Sequence, residues 1–391
     1  MRIVTFGTGR IVGRRAEDSV CYLDGDYIVA ETGDGTEIDT SLSAEGCAHV
    51  INQALFAGGR TVLGGGLFPL EAPLVPRGPL GGQGYDTHLQ LMAGIGNDSP
   101  VSVIESPSLN AVPITIENIR IDGNKENQFP TTDASKFGDI GIYIVRKPDQ
   151  FAPFLIQNVH VHGCISGGIY VERGTWVSGE SYVERNAHGI INHCLCYENG
   201  KLGVTYSDHR GGIHIDNINN MNISDVTIKD NIGYGVTIVG SKDIDVSNVH
   251  SSGNAICGGN TPGLYVAGSG NYNSEDIGVY NYRSYNDNIG VVVGDYDRGA
   301  YTPYTRESFF DVTVRRSVGY GCYILHADDC DFRIRVSESQ SSGIKVLDSR
   351  NIRLVGNSRD NGAYGLSMDS SDVDYTALAF SGNASGETYE V

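Results

Sequence analysis

Apolar and polar residues alternate along this chain in short runs, and the runs recur. Ile116-Glu-Asn-Ile-Arg-Ile-Asp-Gly-Asn124, Ile156-Gln-Asn-Val-His-Val-His-Gly163 and Val246-Ser-Asn-Val-His-Ser-Ser-Gly-Asn254 each place an Asn before alternating apolar positions and close on Gly or Gly-Asn. A second unit lies between them, as in Gly168-Ile-Tyr-Val-Glu172, Gly212-Ile-His-Ile-Asp216, Gly235-Val-Thr-Ile-Val239 and Gly263-Leu-Tyr-Val-Ala267. Its glycines at 212, 235, 263, 290, 321, 343 and 365 are spaced 23, 28, 27, 31, 22 and 22 apart. Period-two alternation bounded by Gly, Asn, Asp and Ser predicts short strands. A 22-residue repeat holding several strands and no helical pattern predicts one turn of a parallel β-helix, with about eleven coils in all. Longer intervals mark loops inserted at turns.

The recurring Asn has a structural reading, because stacked Asn side chains can hydrogen-bond from coil to coil. Gly and Asn also tolerate left-handed backbone angles, which assigns the repeated glycines to coil corners. Before the repeats, residues 44–56 (Ala-Glu-Gly-Cys-Ala-His-Val-Ile-Asn-Gln-Ala-Leu-Phe) predict a helix, with Ser41 or Ser43 as N-cap and Gly58-Gly59 at its end. Such a helix would cap the open end of the coil stack. The expected division is 1–35 as a turn-rich attachment segment, 36–112 as cap helix and first coils, and 113–391 as β-helix.

Thr40 to Ala57, Gly59-Arg-Thr-Val-Leu63, Leu80-Gly-Gly-Gln-Gly-Tyr-Asp-Thr-His-Leu-Gln-Leu91 and Ile114 to Asn124 together resemble the opening of the pectate-lyase-like β-helix superfamily. That superfamily holds polysaccharide lyases, glycoside hydrolases, alginate C5-epimerases and tailed-virus tailspikes. The resemblance covers about residues 36–383 and implies an all-β, right-handed parallel β-helix. It speaks to fold more than to activity, since the matching residues are structural.

Composition narrows the function. Lys plus Arg number 28 against 47 Asp plus Glu, a net charge of −19, which disfavours nucleic acid or an anionic membrane surface as partner. Seven Lys against 21 Arg, on so acidic a chain, suits a salt-rich habitat. No run approaches the roughly 18 apolar residues of a membrane span, and residues 1–20 lack the apolar middle of a signal peptide. Eight Cys without C-x-x-C spacing do not describe a disulfide scaffold. Gly7-Thr8-Gly9 and Gly13 imitate a dinucleotide fingerprint, but the third glycine is one position late and no apolar helix follows. No cofactor is expected.

Alternation decides which side chains point outward. Ile119 and Ile121 face inward, leaving Arg120 and Asp122 outside; the next coil exposes His160 and His162, and the third Leu195 and Tyr197, with Cys194 and Cys196 in the core. His160 and His162, two apart beside Asp122, have metal-ligand character, but a solvated face is the simpler reading and no metal is assigned. The second unit is richer: Tyr143, then Tyr170 and Glu172, then His214 and Asp216 should stack on one outer face. Two long inserts adjoin it, residues 174–188 with Trp176, Glu180, Tyr182, Glu184, Arg185 and His188, and residues 203–211 with Tyr206, Asp208, His209 and Arg210.

Sugar chemistry accounts for these residue types. Hydrolysis needs two carboxyls, which Glu172 with Asp216 or Asp208 would supply. Lyase or epimerase chemistry needs a base and a charge-stabilising cation, for which His214, His209 and Arg210 are candidates. Tyr143, Tyr170, Trp176 and Tyr206 offer ring faces. Arg146, Lys147, Arg173, Arg185 and Arg210 would make the groove locally basic. In alginate epimerases the place resembling 167–172 carries an Asp-Pro-His signature, whereas this chain reads Gly-Ile-Tyr-Val-Glu.

The reading that unites these features is a virion tail spike or fibre protein, forming a homotrimer with other virion proteins nearby. It would bind glycans of a salt-adapted host, with their cleavage left open. Outward Tyr265, Tyr280, Tyr282, Tyr285, Tyr301 and Tyr304 would serve a trimer seam or a glycan groove. The alternatives are a free-standing polysaccharide lyase or glycoside hydrolase, and a structural assembly protein without ligand. The expected location is the virion or the cell exterior.

Overall fold

The computed structural model describes residues 18–95, 101–106, 112–128, 140–146, 152–173, 186–201, 211–254, 261–268, 272–294, 305–369 and 371–390, with the backbone of Val4–Phe6 and Gly9–Ile11. The last two pair as a small antiparallel ribbon. Contacts divide the chain into two compact units, residues 1–206 and 207–391.

The first unit opens with an antiparallel meander of Ser19–Asp24, Tyr27–Thr32 and Glu37–Leu42. The boundary expected at residue 35 therefore falls between two paired strands. The helix follows at Ser43–Ala57 and buries Cys47, Ala48, Val50, Ile51, Ala54 and Leu55. Its start differs from expectation. Leu42 holds the N-cap position with no side-chain hydrogen bond, and Gly46 breaks the helical geometry. The helix restarts beyond that kink with free N–H groups, and Glu71 takes them: Ala48 N donates to Oε2 (2.9 Å) and His49 N to Oε1 (3.0 Å).

Parallel coils come next, in three rows. One stacks Thr61–Leu63, Leu80–Gly81 and the first halves of Ile114–Asp122 and Phe154–His162, then Asn186–Asn192. The second stacks Gly66–Leu70, Thr87–Leu91, the second halves of the same two long strands, and Leu195–Tyr197. The third stacks Ile104–Ser106, Ile142–Arg146 and Gly167–Arg173. The long strands bend between the first two rows at Asn118 and Asn158, both left-handed (φ 57° and 51°). The core is stacked like on like: Ile119 on Val159, and Ile121 on Val161 on Cys196. Cys194 and Cys196 are buried, as alternation required.

In the second unit, Gly211–Asp216, Tyr234–Val239, Pro262–Ala267, Ile289–Val293, Cys322–Leu325, Ile344–Leu347, Tyr364–Asp369 and Gly386–Glu390 pair in parallel, each with the next. These are the second-unit repeats of the sequence, but the reason for their glycines is not the expected one. The left-handed positions are filled largely by Asn and Asp, among them Asn217, Asp225, Asp230, Asp243, Asn248 and Asn281. A side chain at Gly235 would instead put its Cβ 2.3 Å from the Gly263 carbonyl oxygen of the next coil, and one at Gly321 would come 2.6 Å from that of Gly343. The repeated glycine lets neighbouring coils approach.

Asparagine ladders run along the coils. Asn248 Nδ2 donates to Asp225 (3.2 Å) and Asn281 Nδ2 to Asn248 (3.0 Å) on the exposed corner. In the core, Asn231 N and Nδ2 donate to Asn254 Oδ1, and Asn254 N donates in turn to Asp287 Oδ1 (2.8 Å), where an aspartate replaces the ladder amide. Tyr282 departs from expectation: it is fully buried, because Asn281 is left-handed and the pairing slips between Val279 and Tyr282, reversing the side-chain parity. Tyr280 stays exposed. Among the described residues no helix is long and apolar enough to cross a membrane.

Candidate functional site

In the first unit, Ile142, Ile144, Ile169 and Val171 point into the core, which turns Tyr143, Tyr170 and Glu172 to the outer face of the third row. Register pairs Tyr143 with Tyr170 directly, and their rings stack at 5.4 Å with 15° between planes. Both hydroxyls converge on Glu172: Tyr143 donates to Oε1, and Tyr170 to Oε2 at 2.8 Å. Two phenols thus hold one carboxylate in place. Tyr170 is buried, with 3% of its surface exposed, so its ring is shielded while Tyr143 keeps part of its surface. The row also contains a residue that the sequence reading passed over. Glu105 pairs with Tyr143 one coil earlier, bringing a second carboxylate to the same outer row. Its strand is only three residues long, too short to display a repeat.

The remaining candidates are distributed as follows. Arg173 ends its strand in register with Arg146, whose side chain lies outside the described residues. Trp176, Glu180, Tyr182, Glu184, Arg185, Tyr206, Asp208, His209 and Arg210 lie outside the described residues, as do Lys147, Tyr301 and Tyr304. His188 is exposed. His214 and Asp216 belong to the second unit, where His214 is buried and Asp216 Oδ1 accepts a hydrogen bond from Asn217 Nδ2 (2.6 Å). Glu172 belongs to the first unit.

A second polar constellation occupies the outer face of the second row in the first unit. Register stacks His88, Arg120, His160 and Leu195 in one file, and Gln90, Asp122, His162 and Tyr197 in the adjacent one. Asp122 is its anchor. Gln90 Nε2 donates to Oδ2 and the Asn124 N–H to Oδ1, both at 2.7 Å. His88 Nε2 stands 3.8 Å from Oδ2, and His162 Nδ1 stands 3.9 Å from Oδ1. The ligand-type atoms of His88, Asp122 and His162 all lie within 4.8 Å of one another. Arg120 Nε donates to His162 Nε2 at 3.0 Å. His160, the histidine expected beside Asp122, instead stacks on Tyr85 at 3.6 Å, and His162 stacks on Tyr197 at 4.8 Å. His88 takes the place expected for His160.

The electrostatics follow from this packing. Burial opposes charge on Asp122, but contacts from His88, Gln90 and the Asn124 N–H, together with nearby His162, outweigh it and bring the carboxyl to about 2. Burial drives His162 down to about 4; Arg120, His88 and His160 push the same way, and Asp122 opposes them. His160 is lowered by burial and then by Arg120. At neutral pH the face therefore presents an ionised Asp122 beside two imidazoles held neutral.

No protein-family model matches this chain, and no curated protein sequence matches it. Solved structures do. The chain is similar to the A-module of mannuronan C-5 epimerase AlgE6 from Azotobacter vinelandii, with a TM-score of 0.67 and 16% identity over 88% of this chain and 95% of that one. The AlgE4 A-module of the same organism gives 0.66 and 15%, over 89% and 96%. Gene product 12 of bacteriophage phi29, in its pre-mature form, gives 0.61 and 12% over 86% of this chain; the match spans 54% of that protein. The chain accordingly shares the right-handed parallel β-helix fold of these proteins.

Proposed function

We propose that this protein binds glycans on the outer face that carries Tyr143, Tyr170 and Glu172, and that it does so as a spike- or fibre-type virion component. One observation carries the reading: two stacked tyrosines aim both hydroxyls at a single carboxylate. A recognition site for sugars needs a ring face and a fixed acceptor for sugar hydroxyls. Tyr143 offers the ring, Glu172 offers the acceptor, and the buried Tyr170 positions Glu172. Arginine over lysine and a net charge of −19 suit a salt-adapted host, and the likeness to a phage gene product supports the virion setting. The test is a broad glycan panel probed with wild type, Tyr143→Ala and Glu172→Gln. Binding by wild type that each substitution weakens supports the reading; a wild type inert on the panel sinks it.

A free-standing enzyme is the second reading, favoured by the likeness to epimerase modules and by Glu105 on the same row. The stretch 167–172, which resembles the place where alginate epimerases carry an Asp-Pro-His signature, reads Gly-Ile-Tyr-Val-Glu over 168–172 here, which disfavours epimerisation specifically. Release of new reducing ends or unsaturated uronates, abolished in Glu172→Gln, would select a hydrolase or lyase. Native mass separates the spike from the enzyme, with a trimer expected for the spike.

A further inference from the structure

We infer that His88, Asp122 and His162 form a binding site for a divalent transition-metal ion, with Zn2+ as the best match. The three side chains come from three successive coils, so the fold itself brings the donors together. Two imidazoles and one carboxylate are the donor set that Zn2+ takes, with a fourth position left for solvent or a ligand oxygen. His88 Nε2 is buried and has no hydrogen-bond partner, although it faces Asp122 Oδ2 at 3.8 Å. A polar atom hidden from water without a partner is costly, and a cation at this point would satisfy it. Asp122 is already oriented by Gln90 and the Asn124 N–H, the outer support that metal-binding carboxylates need. Ligand atoms around tetrahedral Zn2+ sit roughly 3.4 Å apart. The three donors here lie within 4.8 Å of one another, so metal binding must draw the widest pair together by up to about 1.4 Å through rotation of the histidine side chains.

Arg120 gives the site its particular behaviour. Its Nε–H donates to His162 Nε2, which fixes the imidazole proton on Nδ1. Binding metal through Nδ1 moves that proton to Nε2, with no net proton released from His162. The new Nε2–H then opposes the Arg120 N–H, so the guanidinium must swing away. Arg120 is thus a built-in competitor of the cation.

Untagged full-length protein, stripped with chelator, is titrated with Zn2+ by calorimetry and with Co2+ by visible absorption. One equivalent should bind, with the d–d bands of low-coordinate Co2+. Arg120→Gln, which removes the positive charge and offers an oxygen to Nε2–H, should tighten binding by about tenfold. Gln90→Leu should weaken it by about 10- to 100-fold. Asp122→Asn and His88→Gln should abolish the stoichiometric site, while His160→Gln leaves it intact; circular dichroism of each variant verifies the fold. No stoichiometric binding in either wild type or Arg120→Gln would overturn the assignment. So would binding that survives in folded His88→Gln.

Discussion

Replacing Asp287 by Asn should stabilise the protein at neutral pH, although it removes a charge that accepts several hydrogen bonds. Asp287 is fully buried in the second unit, at a ladder position where neighbouring coils carry Asn. Ser251 Oγ (2.8 Å) and Ser284 Oγ (2.7 Å) donate to Oδ2, and Asn254 donates to Oδ1 from both N (2.8 Å) and Nδ2 (3.1 Å). Burial raises its pKa from 3.8 to about 6, and the hydrogen bonds from Ser284, Asn254 and Ser251 only partly offset that rise. Between those two values the folded protein holds a proton that the unfolded chain has released, so stability falls as pH rises through the window. The full penalty acts above pH 6 and is gone below 3.8. A shift of about two units corresponds to about 3 kcal/mol. Asn carries no such penalty, and the two serine hydroxyls can turn to accept from its amide. Urea denaturation of wild type and Asp287→Asn at pH steps from 4 to 8 reads this directly, because other titrations cancel in the difference. Asp287→Asn should gain up to about 3 kcal/mol on wild type between pH 4 and 7. A difference that stays constant across that range would refute the reasoning.

Three further outcomes follow from the same structure. Gly235→Ala should destabilise by at least about 1–3 kcal/mol, read as a lowered Tm, since its Cβ meets the Gly263 carbonyl oxygen at 2.3 Å; an unchanged Tm would contradict the close-approach account. Glu71→Ala should cost about 1–2 kcal/mol and speed hydrogen exchange at the Ala48 and His49 amides, which lose their acceptor. Asp122→Asn, measured with chelator present, should destabilise at pH 7 by about 2 kcal/mol, because the depressed carboxyl contributes stability above pH 4. That gap should close as pH falls through about 2; a gap that persists would show that the contacts to Asp122 do not depend on its charge.

Much of the fold was legible because a β-helix repeats its demands: each coil must place apolar residues inward, Asn at a left-handed corner, and a side-chain-free residue where coils approach. The period showed that glycines mattered but not why. Left-handed backbone and close approach both select glycine, and only the distance to the next coil separates them. Parity placed Arg120, Asp122, His160 and His162 outside correctly. It missed Tyr282 because left-handed Asn281 reverses the faces beyond it; Val279-Tyr-Asn-Tyr282 repeats Ile116-Glu-Asn-Ile119, so the recurring Asn marks the corner and Tyr282 takes the inward place of Ile119. His88 was recoverable: Thr87-His-Leu-Gln-Leu91 turns His88 and Gln90 outward with the same alternation as Arg120 and Asp122. What concealed it was register, since early coils lack the Asn that aligns later ones. Asp287 was visible too, as the residue three after Ser284, in the place Asn254 takes after Ser251.

The most direct test of the glycan-binding site is a crystal structure of the protein with the tightest-binding oligosaccharide from the panel. The account predicts a sugar ring over Tyr143 with a hydroxyl donating to Glu172. A sugar bound elsewhere, with Tyr143, Tyr170 and Glu172 untouched, would contradict it.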